Sequence, residues 1–512
     1  MKKLTLASLL MTSSLLLSRI IGFIRDATIA SKFGSGVQTD AYFAAFTLPD
    51  FLNYLVAGGA FSLTFIPIFT SYMVKSEEEK GWKLYSIIIS VMTVVLVVSI
   101  ILLEITAPAI IKSMFPGFDK ETLDTTVLFT RIVLPAQLFF YNGGIISAIL
   151  LSKKRFLIPA LSPLIYNISI ILFGLAFSKY GMIGFSIGAL AGAFLGPFGL
   201  QFWALRKEIK FNLNFNVKDK DFMDFFKKSI PIMLGLLLVT LDDWLSKRYG
   251  SYLGKGTISY LNNSRRLVLV PVGLFAQANA QAILPFLSEL FAKRDFSGFN
   301  KLAKKSLTLV FFITAFAASW FMVFHYEIIK LIYQRGAYTI NDAVMTGSIF
   351  KILSFSIPFW SSVIIVSRFY YAQHNTKTPM VIGGLMTLFS LPLYSFFSHV
   401  YKAEGLAMTI SFVKFLYFMT LLIYYKKLNV DFDLKGMLKD LIKIFLFFTT
   451  IVLLFGYIRI YFKNYNWFLL LFAGSGFQFL FTMFTARFIK VKAYDEFKEK
   501  YLNRILRKLK FI

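Results

Sequence analysis

The sequence predicts an all-α integral membrane protein with about 14 transmembrane helices. Of the 512 residues, 57% are hydrophobic, 18% are aromatic and only 16% are charged, and the mean hydropathy is +0.66. Soluble proteins carry about 25% charged residues, so this composition suits a bilayer. Apolar runs of about 18 residues or more, long enough to cross the hydrocarbon core, recur along the chain. Examples are residues 84–111, 157–177, 307–324 and 467–484.

Fourteen spans can be placed from these apolar runs and the polar loops between them. They begin near Thr5, Ala41, Leu84, Thr126, Leu157, Met182, Phe222, Ile258, Leu307, Val344, Met380, Leu406, Ile444 and Trp467. The first run resembles a signal peptide, but its apolar pattern continues past Arg19 to Ala30 without a small-residue cleavage site, so we interpret it as a span. An even number of spans places both termini on one side of the membrane.

The net charge of +28 is concentrated in loops that share one side of this topology. The basic segments are the N-terminus, 153–155, 206–228, 293–305, 426–443 and the tail after residue 491. The positive-inside rule then makes both termini of this multi-pass protein cytoplasmic. The charge is interpreted as a topology signal and a contact with anionic membrane lipids, with no nucleic-acid partner.

Thiol and metal chemistry are not expected. The chain has no cysteine, its three histidines are scattered, and no metal-ligand spacing occurs. We therefore expect no cofactor and no enzyme activity.

An internal repeat indicates two related halves. The segment DATIASKFG at 26–34 is similar to DDWLSKRYG at 242–250, at an offset of 216. Further pairs follow in order at nearly the same offset: Pro67 with Pro285, Pro159 with Pro379, and Gly184 with Gly405. Repeated halves with a substrate site between them are typical of secondary transporters. The predicted organisation is a six-helix half at 1–210, a second at 211–430, two additional helices at 431–490 and a basic amphipathic cytoplasmic tail at 491–512.

Several ionisable side chains lie inside predicted spans or at their ends, and nine of them, in spans 1, 2, 7 and 8, are candidates for a functional role. Such groups are costly in a bilayer and mark functional positions by default. The nine are Arg19, Arg25, Asp26, Asp40, Asp50, Asp242, Asp243, Arg265 and Arg266. With a rise of about 1.5 Å per residue, Arg25 and Arg266 each lie roughly 14 Å from the nearer span end, so the two halves are expected to share a cationic cavity near the midplane.

Arginine indicates the kind of cargo. Its planar guanidinium binds phosphate through two parallel hydrogen bonds, so Arg19, Arg25 and Arg266 are predicted to hold a diphosphate. Asp26, Asp40 and Asp242 are interpreted as charge balance or as carriers of a coupling proton or sodium ion. The alternative, for Arg19 with Asp26 and for Asp242 and Asp243, is that they form Arg–Asp pairs that only hold helices together.

Two groups of basic residues receive simpler interpretations. Arg131, Arg368 and Arg459 lie near span ends, where we expect them to snorkel towards the interface. Lys153, Lys154 and Arg155 occupy one short loop and are interpreted as topology determinants, with recruitment of lipid head groups as the alternative.

Several segments in family order resemble the MurJ (MviN) lipid II flippases of the MOP exporter superfamily. They are SRIIGFIRD at 18–26, FGSGVQTDAYFAAFTLPDFL at 33–52, GGAFSLTFIP at 58–67, GTISYLNNSRRLVLVPVGLF at 256–275, QRGAYT at 334–339 and NTKTP at 375–379.

This resemblance implies a transporter that moves lipid II, the undecaprenyl-diphosphate-linked peptidoglycan precursor, to the outer leaflet for cell wall synthesis. It matches Arg19, Arg25, Asp26, Asp40 and Arg266 to the charged cavity of the family, and it implies that the last two spans help to form a groove for the polyprenyl tail. No ATP-binding motif occurs, so membrane potential or an ion gradient is the expected drive.

The sequence also departs from the family pattern. Asn53 and Gly58 stand where members often have arginine and glutamate, and Arg265 stands where an acidic residue is common. Ser390 and Tyr394 occupy positions where some members carry sodium ligands. Asn53 and Arg265 join the candidate substrate-binding residues, and these changes put the coupling ion in question more than the substrate class.

Three other functions remain open at this point. One is a flippase for another polyprenyl-diphosphate oligosaccharide. A second is a cation-coupled multidrug antiporter, although such antiporters usually have twelve spans and an acidic cavity. A third is a membrane-embedded enzyme such as a polymerase acting on the same lipid.

Overall fold

The computed structural model describes residues 2–54, 59–429, 431–462, 465–488 and 494, and within these ranges the regular structure is helical. The chain divides into two compact units. The first contains residues 1–259 and 335–338, and the second contains residues 260–334 and 339–512.

The first unit is built from eleven helices. They are α1 (Lys2–Phe33), α2 (Val37–Ala45), α3 (Thr47–Leu52), α4 (Gly59–Val74), α5 (Glu78–Met114), α6 (Lys120–Val133), α7 (Ala136–Ser152), α8 (Leu157–Ala176), α9 (Ile183–Ala193), α10 (Gln201–Leu205) and α11 (Lys220–Gly250). A 3₁₀ turn at Ser178–Tyr180 precedes α9, and a π-helical turn at Phe194–Leu200 joins α9 to α10.

The second unit is entered through α12 (Thr257–Pro271), whose first three residues belong to the first unit. Its further helices are α13 (Ala278–Ala292), α14 (Phe296–Val323), α15 (His325–Ile332), α16 (Ile340–Ser354), α17 (Ile357–Ala372), α18 (Lys377–Leu428), α19 (Leu434–Tyr461) and α20 (Trp467–Phe488).

The membrane-spanning character of the chain is confirmed. Nine helices of the described ranges are long and apolar enough to cross a bilayer, and the pair α16 and α17, bent by 42°, makes a tenth span. Helix α18 breaks at Lys402, where the backbone turns to φ 51°, so its 52 residues supply two spans and bring the number to eleven. Three predicted spans are not included in this number: span 1 corresponds to α1, span 2 to the series α2 to α4, and span 7 to α11. With these three added, the total is consistent with fourteen.

Small residues allow neighbouring helices to approach closely. A Cβ at Gly188 of α9 would lie 2.8 Å from the Ile170 Cα of α8, and one at Gly192 would lie 2.8 Å from the Tyr166 carbonyl oxygen. Close backbone contact of this kind replaces the hydrophobic driving force that is missing between helices in lipid. At the α18 break, a Cβ at Gly405 would lie 1.9 Å from the Phe397 carbonyl oxygen, so the tight turn requires glycine.

Proline and glycine in the eighth predicted span coincide with a change of helix type. The α-helical pattern of α12 ends at Pro271, and a π-helical turn follows at Val272–Gln277. Such turns widen the helix locally and often occur at functional positions. Gly58 of the second span and, apart from Tyr494, the predicted tail at 491–512 lie outside the described residues. The predicted halves at 1–210 and 211–430 stay a prediction.

The basic loop after α7 is tied into an ion-pair network of the first unit. The Lys153 ammonium lies 2.8 Å from Glu78 and 3.0 Å from Glu208, and it also lies over the Trp82 ring. Arg155 contacts the other oxygen of Glu208 at 2.6 Å. The charges of Lys153 and Arg155 are therefore engaged by protein carboxylates, which leaves less of them available for lipid head groups.

Candidate functional site

Arg25 and Asp26 of α1 form a hydrogen-bonded pair in the first unit. The Arg25 Nε and one terminal nitrogen donate to Asp26 Oδ1 at 2.9 and 2.7 Å. Asp26 is only 1% exposed and Arg25 only 12%. A charge this deep in an apolar helix requires a partner, and each of these residues supplies one to the other.

The remaining terminal nitrogen of Arg25 reaches a second helix. It donates to the Asn167 side-chain oxygen of α8 at 3.0 Å. Asn167 is itself fixed, because its amide nitrogen donates to the Pro163 carbonyl oxygen at 3.0 Å and to the Ser18 hydroxyl at 3.4 Å. The guanidinium plane is thus held by α1 on one edge and by α8 on another.

Asn167 was not among the predicted site residues. It is an amide within the apolar run 157–177, and a polar side chain inside a span is the signal that would have identified it. Arg19, one turn and a half before Arg25 on the same helix, is exposed at the surface of the first unit.

Asp40 of α2 is bound to the beginning of α12. One of its carboxylate oxygens accepts from the Gly256 backbone N–H at 2.6 Å. The other accepts from the Ser259 N–H at 2.8 Å and from the Ser259 hydroxyl at 2.5 Å. The first N–H groups of a helix have no partner within it and carry partial positive charge, so a carboxylate there satisfies and neutralises them. Asp40 is 2% exposed and caps this helix from a distant part of the chain.

Asn53 lies at the end of α3 and contacts α7. Its amide nitrogen donates to the Gln137 side-chain oxygen at 2.6 Å. Gln137 is buried, so this amide pair connects the two helices within the first unit. The predicted role of Asn53 in substrate binding stays a prediction.

The acidic pair of α11 has a basic neighbour that sequence reasoning passed over. The Asp243 carboxylate lies 2.8 Å from the Lys247 ammonium, one turn further along the helix. Lys247 is buried and also donates to the Phe43 carbonyl oxygen of α2 at 3.0 Å. Asp243 therefore pairs within α11, and Lys247 is the residue that connects α11 to α2. The alternative that Asp243 pairs with an arginine to hold helices together stays a prediction. The role of Asp242, which is half-buried, is untested.

Arg265 and Arg266 occur on the part of α12 that belongs to the second unit. Two hydrogen bonds fix this part of α12 against α16: the Tyr260 hydroxyl donates to the Asp342 carboxylate at 2.8 Å, and the Ser264 hydroxyl donates to the Thr346 carbonyl oxygen at 3.1 Å. Within its unit Arg266 is exposed and Arg265 is half-buried. The convergence of Arg266 with Arg25 stays a prediction.

Arg459, expected to snorkel towards the interface, forms an ion pair. Its Nε and a terminal nitrogen donate to Glu327 of α15 at 3.1 and 2.9 Å. The Glu327 side chain is only 5% exposed, so the guanidinium compensates a carboxylate that would otherwise be buried without a counter-charge. Glu327 lies in the loop between predicted spans 9 and 10, and nothing in the local sequence pairs it with a residue 132 positions later.

No group of three acidic or histidine side chains within the described ranges is arranged to hold a metal ion. Ser390, at the position of a sodium ligand in some family members, donates its hydroxyl to the Thr387 carbonyl oxygen one turn earlier.

Comparison with known proteins decides the family. A family model described as "Lipid II flippase MurJ" matches residues 29–476. The chain belongs to the MurJ family of lipid II flippases. Membership places it among transporters and not among enzymes. The matched residues begin just after Asp26, so the family assignment of Arg19, Arg25 and Asp26 rests on the motif at 18–26.

Individual relatives agree with this assignment. The chain is 29% identical over 445 residues to a lipid II flippase MurJ of Thermosipho africanus, covering 87% of this chain and 90% of the relative. It is 30% identical over 439 residues to a probable lipid II flippase MurJ of Buchnera aphidicola subsp. Schizaphis graminum, covering 84% of each.

Solved structures show the same fold. A lipid II flippase MurJ in an inward closed conformation superposes with a TM-score of 0.78 at 27% identity, covering 97% of this chain and 100% of that one. An inward-facing multidrug resistance MATE transporter of the MOP superfamily gives a TM-score of 0.66 at 12% identity, covering 82% of this chain and 95% of that one. The second comparison shows that a MOP superfamily transporter shares this fold. It does not indicate what this protein transports.

Proposed function

We propose that this protein translocates lipid II from the cytoplasmic to the outer leaflet of the bacterial inner membrane by alternating access through a cationic central cavity. Membership in the MurJ family supports the substrate, and the observation that carries the site is the buried guanidinium of Arg25, oriented by Asp26 and Asn167. The proposed ligands of the diphosphate are Arg19, Arg25 and Arg266. Arg265 and Asn53 are further candidate substrate-binding residues.

The geometry around Arg25 suggests how a diphosphate would be bound. The edge of the guanidinium that faces Asp26 carries two donors, which is the fork that a phosphate accepts in bidentate fashion. Phosphate oxygens would take the place of the Asp26 carboxylate on this edge, while Asn167 keeps the guanidinium in the same plane. Asp26 then serves as the resident counter-charge of the empty site, since an unpaired buried cation would be costly.

The coupling mechanism is proposed to use membrane potential or an ion gradient, with Asp26, Asp40 and Asp242 as the candidate groups. The three hydrogen bonds on Asp40 favour a capping role for this residue over ion transport. Asp26 and Asp242 are the better candidates for coupling.

The proposed topology has both termini in the cytoplasm, two six-helix halves related by the internal repeat, and two additional helices beside the polyprenyl tail. The basic loops support this orientation through the positive-inside rule, and membrane lipids are the expected surroundings.

Complementation tests the function. In cells depleted of their own lipid II flippase, expression of this chain should restore growth and lipid II export, and Arg25→Ala should abolish rescue at unchanged protein level. Arg131→Ala is the matched control, because this arginine is exposed and its guanidinium contacts only Glu104 among the contacts the structure records for it. Failure of the unmodified chain to rescue would refute the function, whereas rescue by Arg25→Ala would refute the site.

A further inference from the structure

The connection between α10 and α11 alternates apolar and polar residues. From Lys210 to Lys218 it reads KFNLNFNVK, with apolar side chains at each odd position. This is the period of an extended chain, and the structure places no helix between Leu205 and Lys220. We call the segment 210–218 the strap.

Two serines of α5 hold one edge of the strap. The Asn212 N–H donates to the Ser86 hydroxyl at 3.1 Å, and the Asn214 N–H donates to the Ser90 hydroxyl at 3.0 Å. Residues four apart on a helix are separated by about 6 Å along its axis, close to the spacing of about 6.6 Å between alternate residues of an extended chain. The serine pair therefore matches the strap in register and satisfies amides that would otherwise lack partners.

Ion pairs fasten both ends of the strap to the polar end of α5. Lys210 pairs with Glu79 at the beginning, and Asp219, just after the strap, pairs with Lys83 at 2.8 Å. Between these two ion pairs, the middle of the strap lies beside Ser90. Ser90 is six residues into the apolar run that starts at Leu84, or roughly 9 Å further along α5. The middle of the strap thus lies beside a part of α5 that is apolar enough to contact lipid.

The apolar side chains of the strap are exposed, and the Phe211 ring also contacts Tyr85 of α5 edge to face. Leu213 is 70% exposed, Phe215 52%, Val217 47% and Phe211 43%. Four large apolar residues exposed within seven positions are unusual for a polar loop and indicate an interaction surface.

The two serines satisfy the N–H groups of Asn212 and Asn214, and the Asn216 N–H donates to the Asn214 side-chain oxygen at 3.0 Å. Irregular backbone is not tolerated in the hydrocarbon itself, so the backbone of the strap belongs at the interface, with its apolar side chains reaching the acyl chains.

The charges around the patch identify its partner. Residues 206–220 contain five Lys and Arg against two acidic residues, a net charge of +3. Just before the strap, Trp203 is 60% exposed and Arg206 lies over its ring, an arrangement suited to the interface between hydrocarbon and head groups. An apolar face bordered by cations fits anionic lipid.

We propose that the strap is a lipid-inserted anchor, which places Phe211, Leu213, Phe215 and Val217 in the acyl region of the leaflet and Lys218 on anionic head groups. The proposal goes beyond lipid II translocation and depends on the proposed topology only for the name of the leaflet, which is the cytoplasmic one. Its partner is the bulk anionic lipid of the membrane.

Site-specific fluorescence tests the anchor in the full-length protein. Because the chain has no cysteine, single variants Leu213→Cys and Asn212→Cys can be labelled with an environment-sensitive fluorophore and reconstituted into vesicles. Nitroxide-labelled lipid should quench the label at 213 several-fold more strongly than the label at 212, and aqueous iodide should show the opposite order. Asn212 is the matched control because it is adjacent, exposed and on the other face.

A second comparison tests the charges. Quenching by nitroxide lipid at position 213 should be greater in vesicles that contain phosphatidylglycerol than in vesicles of phosphatidylcholine alone, and Lys218→Gln should reduce this difference. Equal access of iodide to both labels, with no quenching by nitroxide lipid, would overturn the proposal. Protection of position 213 that appears only at high protein-to-lipid ratio would also overturn it, since a second copy of the chain would then be the partner.

Discussion

Replacement of Asp40 separates two roles that the sequence leaves open. As a helix cap, this residue stabilises the beginning of α12 through hydrogen bonds, whereas as an ion carrier it would act through its charge. Asp40→Asn keeps one oxygen that can accept from Ser259 but removes the charge and the acceptor for Gly256. Asp40→Ala removes every acceptor.

The magnitudes follow from the three hydrogen bonds that Asp40 accepts. With Ala, the backbone N–H groups of Gly256 and Ser259 lose their partner in a buried place, at about 1–3 kcal/mol each, so the free energy of unfolding should fall by about 2–6 kcal/mol. With Asn, one charge-assisted bond is lost, which costs about 1.5–3 kcal/mol. Asn remains a good cap, so the order of stability should be Asp, then Asn, then Ala.

The assay is the thermal midpoint of the purified protein, followed by tryptophan fluorescence, together with rescue in flippase-depleted cells. At about 1 °C per kcal/mol for a chain of this length, Asp40→Ala should lower the midpoint by about 2–6 °C. Asp295→Ala is the control, because Asp295 is an exposed cap of α14 that accepts one bond from Gly298 and should cost about 1 kcal/mol.

Two results would refute the capping role. One is a midpoint for Asp40→Ala within about 1 °C of the unmodified protein. The other is loss of rescue in Asp40→Asn at an unchanged midpoint, which would identify the charge, and so ion coupling, as the function of this residue.

Three further predictions concern contacts between distant parts of the chain. Asn167→Ala should leave the Arg25 charge in place but release its orientation, so rescue should weaken while protein level stays normal, and full rescue would contradict the site geometry. Arg459→Ala should lower the thermal midpoint by the equivalent of about 3–5 kcal/mol because Glu327 is left buried and unpaired, and adding Glu327→Gln should recover most of the loss, whereas an unchanged double variant would refute this account. The Lys153 ammonium holds the pKa of the Glu208 carboxyl below its ordinary value of 4.5, so the ion pair stabilises the fold above that pH and is lost as the pH falls through the lowered pKa. The difference in thermal midpoint between Lys153→Ala and the unmodified protein should therefore shrink as the pH falls below about 4.5, and a constant difference would show that Lys153 acts through packing alone.

The fold class could be predicted because the bilayer imposes length and apolarity on each span independently of the rest of the chain. Helix α5, for example, is recognisable from its own run of apolar residues, and the break of α18 at Lys402 falls between two predicted spans. The position of Arg25 as a charge inside an apolar helix was predictable for the same local reason, since a charge inside an apolar run stands out in the sequence. Its partner Asn167 was not, because it lies 142 positions away.

The same difference between local features and long-range contacts applies to other residues. Asp40 was identified as an unusual charge, but its capping of α12 joins residues 216 positions apart, and the pairing of Glu327 with Arg459 joins residues 132 positions apart. Whether Arg459 snorkels or pairs is decided by which helix packs beside it, and local hydropathy contains no information about that packing.

The sequence by itself determined that this is a multi-pass helical membrane protein, that its spans carry arginines, and that its motifs resemble one flippase family. Those properties depend on the composition and order of residues within single segments. The tertiary structure decided which donor meets which acceptor: Asp40 with the beginning of α12, Arg25 with Asn167, and the amides of the strap with the serines of α5. The physical reason is that a hydrogen bond requires two groups within about 3 Å, and only the packing of helices brings distant parts of the chain that close.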